Sequence, residues 1–115
     1  MTPRRQAIGR SGERRVARWY NDRGYEILAR NWRVREGELD IVATRDHVLV
    51  ICEVKTRSST YFGDGFEAVT RSKQARLRRL AVLFLRELQG ARPSEIRFDV
   101  ASVTPSAIDV IEAAF

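Results

Sequence analysis

Apolar positions along the chain repeat first at helical spacing, then at strand spacing. Near the N-terminus Ile8, Val16, Trp19 and Tyr20 form a rough helical stripe. Thr2-Pro3 supplies a cap and a first-turn proline, Gly9 and Gly12 interrupt the stripe, and Gly24 stands where a helix ends. Residues 25–35 read as an extended strand with a partly basic face, followed by a turn at Glu36-Gly37. Glu38–Ala43 and Val48–Thr56 are rich in β-branched residues, and a turn centred on Arg45-Asp46 joins them as a hairpin. Residues 57–66 are a loop by composition. From Thr70 to Gln89 the helical spacing returns in Leu77, Leu80, Ala81, Phe84 and Leu88, with Thr70 as cap, Gly90 as terminator and Pro93 beyond. Ile96–Val103 alternates as a strand, and Ala107–Ile111 reads as another. The order α-β-β-β-α-β-β predicts one α/β domain over residues 1–115, a mixed sheet whose two helices close one core.

Composition narrows the class. At 115 residues the chain has room for one domain. No apolar run approaches the roughly 18 residues a membrane span needs, and no apolar stretch follows the N-terminal basic residues. The expectation is a soluble cytoplasmic protein. One cysteine and one histidine exclude a disulfide framework, a cysteine zinc site and a histidine-rich metal cluster. Cys52 reads as a small core residue, His47 as a solvent-facing turn residue, and Trp19, Tyr20, Trp32 and Phe84 as core aromatics.

Charge adds a direction. The net charge is +6, unevenly spread. Residues 1–35 hold ten arginines against three acids, residues 36–70 hold seven acids against three bases, and residues 71–86 hold six bases and no acid. A basic chain with an acidic centre suits phosphate-backbone binding around a site that holds cations. Arg57, Arg71, Lys73, Arg76 and Arg79 would track a nucleic-acid strand, giving binding a steep salt dependence. Of 21 basic residues only Lys55 and Lys73 are lysine. Lysine offers a compact ammonium with a tunable pKa where guanidinium is wide and permanently charged, which makes these two chemical candidates.

Strand periodicity places Glu38, Asp40 and Val42 on one face, and Leu49, Ile51, Glu53 and Lys55 on one face of the next strand. With the turn at Arg45-Asp46, Asp40 faces Ile51 and Glu38 faces Glu53; a shift of two puts Asp40 opposite Glu53. Either register brings Asp40 and Glu53 together, and facing acids need a cation between them. Lys55 could supply it, as could a divalent ion; oxygen ligands without histidine or thiol favour Mg²⁺ or Mn²⁺. Ordinary salt bridges, Glu38–Arg57 or Glu53–Lys55, are the structural alternative.

Asp40, a twelve-residue gap and Glu53-Val54-Lys55 resemble the D…ExK pattern of the restriction-endonuclease-like nuclease superfamily. More narrowly the chain resembles the YraN-like family of small bacterial proteins, related to archaeal Holliday-junction resolvases. The patches that carry the likeness are 9–13, 24–31, 37–41, 50–57, Phe62-Gly63, 67–69, Lys73, 97–100 and Ala114-Phe115. The resemblance implies a restriction-endonuclease-like fold, with Asp40 and Glu53 as metal-binding carboxylates and Lys55 as the catalytic lysine. It further implies Glu13 as an added metal ligand, Glu38 as an aid to the metal or its waters, and Lys73 near the scissile phosphate. The implied function is metal-dependent cleavage of DNA, branched DNA in particular, and a two-fold dimer suits a four-way junction. Two rival functions are a nucleic-acid-binding module without turnover and an adaptor whose basic surface meets RNA or an acidic protein. Tyr61 and Phe62, in the loop after the Glu53 strand, either stack on a splayed base or pack under the loop.

Overall fold

The computed structural model describes residues 3–57, 69–90 and 92–115, with the side chains of the first helix from Ser11 onward. Thr2 and the loop residues Tyr61, Phe62, Gly63 and Gly65 therefore lie outside the described residues. The elements are α1 (Pro3–Asn21), β1 (Glu26–Val34), β2 (Gly37–Arg45), β3 (Val48–Thr56), α2 (Arg71–Glu87), β4 (Glu95–Thr104) and β5 (Ala107–Ile111). This is the expected α-β-β-β-α-β-β order of a restriction-endonuclease-like α/β fold, with a mixed five-stranded sheet ordered β1-β2-β3-β4-β5. The first three strands pair antiparallel, α2 carries the chain to a β4 parallel to β3, and β5 returns antiparallel.

The sheet has two cores rather than the single one expected. Val16, Ala17 and Tyr20 of α1 pack with Tyr25, Ile41, Ala43, Val50, Cys52, Ala101 and Val103 on one face. Leu77, Leu80, Ala81 and Phe84 of α2 pack with Leu39, Val42, Leu49, Ile51 and Phe98 on the other. The physical reason is visible in Leu49-Val-Ile-Cys52, buried at every position: a strand covered on both faces needs no alternation. Each fully buried aliphatic side chain contributes about 2 kcal/mol, so the two helices are held chiefly by these contacts.

Helix α1 runs unbroken through Gly9 and Gly12, which interrupt its apolar stripe but not the helix. A mid-helix glycine costs only about 1 kcal/mol, less than the packing of the helix recovers. A Cβ at Gly12 would collide with Thr56 Oγ1 at the end of β3, so glycine is what lets the helix lie close there. The helix ends as expected at Gly24 (φ 85°). Tyr25 N–H donates to Tyr20 O at 3.1 Å and Gly24 N–H to Asn21 O at 3.1 Å, the paired bonds of a Schellman cap. The Tyr20 and Tyr25 rings meet edge-on behind it. Thr70 caps α2, its hydroxyl accepting from Lys73 N–H at 3.1 Å. Gly90 does not end α2: Leu88 turns extended first, and Leu85 O takes the Leu88 N–H and Arg92 Nη1.

Two turns also shift. The β1–β2 connection is Arg35-Glu36, with Val34 paired to Gly37. The β2–β3 turn is centred on Asp46-His47, one residue beyond the expected Arg45-Asp46. Both residues have positive φ (51° and 66°), the geometry a two-residue hairpin requires, and His47 is exposed. Behind β4 the buried Asp99 is fully partnered. It accepts from Tyr20 OH at 2.6 Å, from both sides of the Arg97 guanidinium at 2.9 Å and from Ala113 N–H at 3.0 Å. Asp99 thus ties α1 and the C-terminal turn to the sheet.

Candidate functional site

The site forms where β2 leaves β3. Their ladder runs from Arg45↔Val48 to Ile41↔Cys52 and stops, although both strands continue. Beyond it β2 stays paired to β1, and β3 to β4 through Glu53↔Val100 and Lys55↔Ser102. Asp40 and Glu53 are therefore the first residues past the parting, in the shifted register that sets Asp40 opposite Glu53. The pairing opposite Asp40 on β1 is interrupted too, at Asn31, whose backbone is left-handed (φ 53°). Leu39 packs toward α2 and Ile41 toward α1, so the alternation of β2 breaks at Asp40.

At the parting Asp40 Oδ2 accepts the Val54 N–H at 2.8 Å, replacing a ladder bond with a side chain. Burial, then the neighbouring Glu53 carboxylate, push the Asp40 carboxyl from 3.8 up to about 7; Glu13 and Glu38 add to the rise and the Val54 N–H opposes it. Glu53 has a cation of its own. Its Oε1 lies 2.9 Å from Lys73 Nζ in the first turn of α2, with the Glu53 side chain 14% exposed. Glu13 reaches the site from α1, the residue after the glycine that contacts Thr56. Burial raises its pKa, the Asn31 side chain opposing, and its Oε2 is buried without a hydrogen-bond partner among the described residues.

The remaining sequence candidates separate. Lys55 follows Glu53 on the same face of β3, half-buried, with no ion pair among the described residues. Glu38 pairs at the surface with Arg33 at 2.8 Å rather than with Arg57, and Glu53 pairs with Lys73 rather than with Lys55. Arg57 follows β3, its N–H donating to Val103 O. Arg71, Arg76 and Arg79 lie exposed on α2, and the last two line a cleft of about 300 Å³ with Glu36, Ser72 and Ala75. Asn31 and the Val54 N–H were not singled out by sequence reasoning. Asparagine's tolerance of positive φ was the available signal for the first, and a backbone group gives none.

The donor set suits a hard divalent cation of the Mg²⁺ kind. All ligand atoms on offer are oxygens, Asp40 is half-buried among acids, and Glu13 Oε2 lacks a partner among the described residues. Among the described residues no three His, Cys, Asp or Glu side chains converge into a ready metal cage. Such a site would use one or two carboxylates and complete its shell with water and a phosphate oxygen, the usual habit of Mg²⁺. No helix among the described residues is long and apolar enough to cross a membrane.

Comparison with known proteins identifies a family over most of the chain. The model of the uncharacterised protein family UPF0102 matches residues 12–103, from Gly12 through the site strands to β4. A UPF0102 protein of Parafrankia sp. (strain EAN1pec) is 55% identical over 98 residues, covering 85% of this chain and 82% of the relative. One from Nocardia farcinica is 48% identical over 116 residues, covering 96% and 91%. One from Beutenbergia cavernae is 52% identical over 99 residues, covering 86% and 83%. With the matched segment carrying Glu13, Asp40, Glu53, Lys55 and Lys73 together, the chain belongs to the UPF0102 family.

Proposed function

We propose that this chain is a divalent-metal-dependent DNA endonuclease that hydrolyses phosphodiester bonds, with a preference for branched DNA. One observation carries the reading: Asp40, a half-buried carboxylate with acids around it and, among the described residues, a single backbone donor, at a point where the sheet opens. A carboxylate kept only for structure is paired as Asp99 is, with a guanidinium and a hydroxyl. Asp40 has no such partner among the described residues, and that is how a cation-binding site behaves before its cation arrives.

In this reading Asp40 and Glu53 hold Mg²⁺ or Mn²⁺, and Glu13 adds an oxygen from α1. The ion supplies Lewis-acid polarisation of the phosphate and lowers the pKa of bound water. Lys55 orients the attacking water or stabilises charge growing on the phosphoryl oxygens. The Val54 N–H holds one oxygen of the Asp40 carboxylate and so limits its rotation. Arg71, Arg76 and Arg79 run along exposed α2 as contacts for the sugar-phosphate backbone.

The Glu53–Lys73 ion pair favours a second reading, a module that binds nucleic acid without cutting it. Labelled four-way junction, flap, single-stranded and duplex DNA, incubated with Mg²⁺ or Mn²⁺, separates the two. Metal-dependent cutting, lost in Asp40→Ala, Glu53→Ala and Lys55→Ala, is the outcome we expect. Binding without cutting on every substrate would establish the module instead, and cutting that survives all three substitutions would sink the site assignment.

A further inference from the structure

Two carboxylates at the strand parting have one ion-pair partner between them among the described residues. Glu53 has Lys73, whereas the charges that bear most on Asp40 are those of Glu53, Glu13 and Glu38. We propose that Lys73 is an exchangeable counter-ion: it neutralises Glu53 in the metal-free chain, leaves when a divalent cation is taken up, and then serves a phosphate oxygen of the bound strand. The inference rests on the metal-dependent reading above and deepens it.

The backbone of Lys73 is fixed, since its N–H is held by the Thr70 hydroxyl in the capped first turn of α2. Its side chain is not fixed to the same degree, being 41% exposed while Glu53 is 14% exposed. Letting go costs the ammonium little, because its stem already faces solvent. The choice of residue points the same way. In a chain with 19 arginines, a lysine stands at this position. A guanidinium would grip Glu53 with two parallel bonds, whereas an ammonium makes point contacts and releases readily. The direction of release is also set. One and two turns further along α2, Arg76 and Arg79 line the basic cleft, so an ammonium freed from Glu53 joins a surface already suited to a polyanion.

Calorimetric titration of Mn²⁺ into the full chain tests the exchange, using wild type, Lys73→Met, Lys73→Arg and, as a charge-matched control, Arg86→Gln at the far end of α2. Removing a competing cation from Glu53 should tighten Mn²⁺ binding roughly 10-fold in Lys73→Met. Lys73→Arg should weaken it about threefold through the firmer bidentate grip, and Arg86→Gln should stay near wild type. A second measurement compares DNA binding in EDTA with binding in Ca²⁺, used to hold back cleavage. Lys73→Met should lose affinity mainly in Ca²⁺, where the ammonium is free to meet phosphate. Mn²⁺ affinity that is unchanged or weaker in Lys73→Met overturns the exchange while leaving the metal site standing. Equal loss of DNA affinity in EDTA and Ca²⁺ overturns the phosphate role. Wild type that binds no Mn²⁺ overturns both this inference and the metal-dependent function.

Discussion

Asp40→Asn should make the metal-free protein more stable at pH 8, although it removes the residue on which the proposed chemistry depends. The folded chain holds the Asp40 carboxyl at about 7 against an ordinary 3.8, chiefly through burial and the facing Glu53. Its folded pKa is raised, so the folded state binds the proton more tightly than the unfolded state. The stability this proton confers is fully present below about pH 4 and is lost as pH rises through about 7. Above pH 7 the half-buried carboxylate is ionised among acids. The full displacement corresponds to about 4 kcal/mol, and water penetration at the open end of the ladder reduces this to about 2 kcal/mol. Asparagine removes the charge, keeps an oxygen for the Val54 N–H, and turns an amide toward Glu53.

Urea unfolding followed by Trp19 and Trp32 fluorescence at pH 4 and pH 8, in EDTA, measures the effect. The variant should exceed wild type by about 2 kcal/mol at pH 8 and match it within about 0.5 kcal/mol at pH 4. On the proposed metal-dependent reading, adding Mg²⁺ at pH 8 should then stabilise wild type and leave the variant unchanged, since the variant would lack the Asp40 carboxylate that would hold the ion. A variant less stable than wild type at pH 8, or a gap independent of pH, would refute the placement of a strained carboxylate at the strand parting.

Three other perturbations probe the frame around that carboxylate. Gly12→Ala forces a Cβ onto Thr56 Oγ1 and should cost about 2 kcal/mol in urea unfolding, and Thr56→Ala in the same chain should recover most of it, a coupling read by a double-mutant cycle. Asp99→Ala strips the Arg97 guanidinium, the Tyr20 hydroxyl and the Ala113 N–H of their common acceptor and should cost about 3 kcal/mol, while Tyr20→Phe should cost about 1.5 kcal/mol. Arg76→Gln and Arg79→Gln should each reduce the slope of log affinity against log salt by about 1 in fluorescence-anisotropy titrations of duplex DNA; slopes identical to wild type would remove α2 from the backbone contacts.

The elements were legible because their signals are local. Leu77, Leu80, Ala81 and Phe84 fall on one helical face whatever surrounds them, and Thr70 caps α2 through a hydroxyl three residues away from its donor. The pairing of Asp40 with Glu53 was legible for a different reason: strand parity fixes the shared face even when the turn is misplaced by a residue. The exact turn was less legible. Asp46 and His47 adopt positive φ, and histidine is a weak advertisement for that conformation beside the Asn-Gly or Asp-Gly pairs that usually mark it. Local propensity explained neither Gly12 nor Gly90. Gly12 is decided by Thr56, 44 positions away in the chain, and Gly90 is pre-empted by an extended Leu88.

What sequence could not carry is concentrated around one residue. The left-handed turn of Asn31, the end of the β2–β3 ladder, the changed parity of Leu39 and Ile41, and the Val54 N–H on Asp40 all meet at the same place. Each departs from regular β-structure, and each would cost stability in an ordinary sheet through a lost ladder bond or a strained φ. Their coincidence has a common physical consequence. An intact ladder would have used the Val54 N–H for pairing and closed β2 against β3, leaving no opening beside Asp40. Breaking it there, with β1 and β4 still holding the flanks, opens the sheet at one point without loosening the rest. Local rules fail at Asp40 because the fold gives up regular pairing to hold a carboxylate that has no use for the sheet itself.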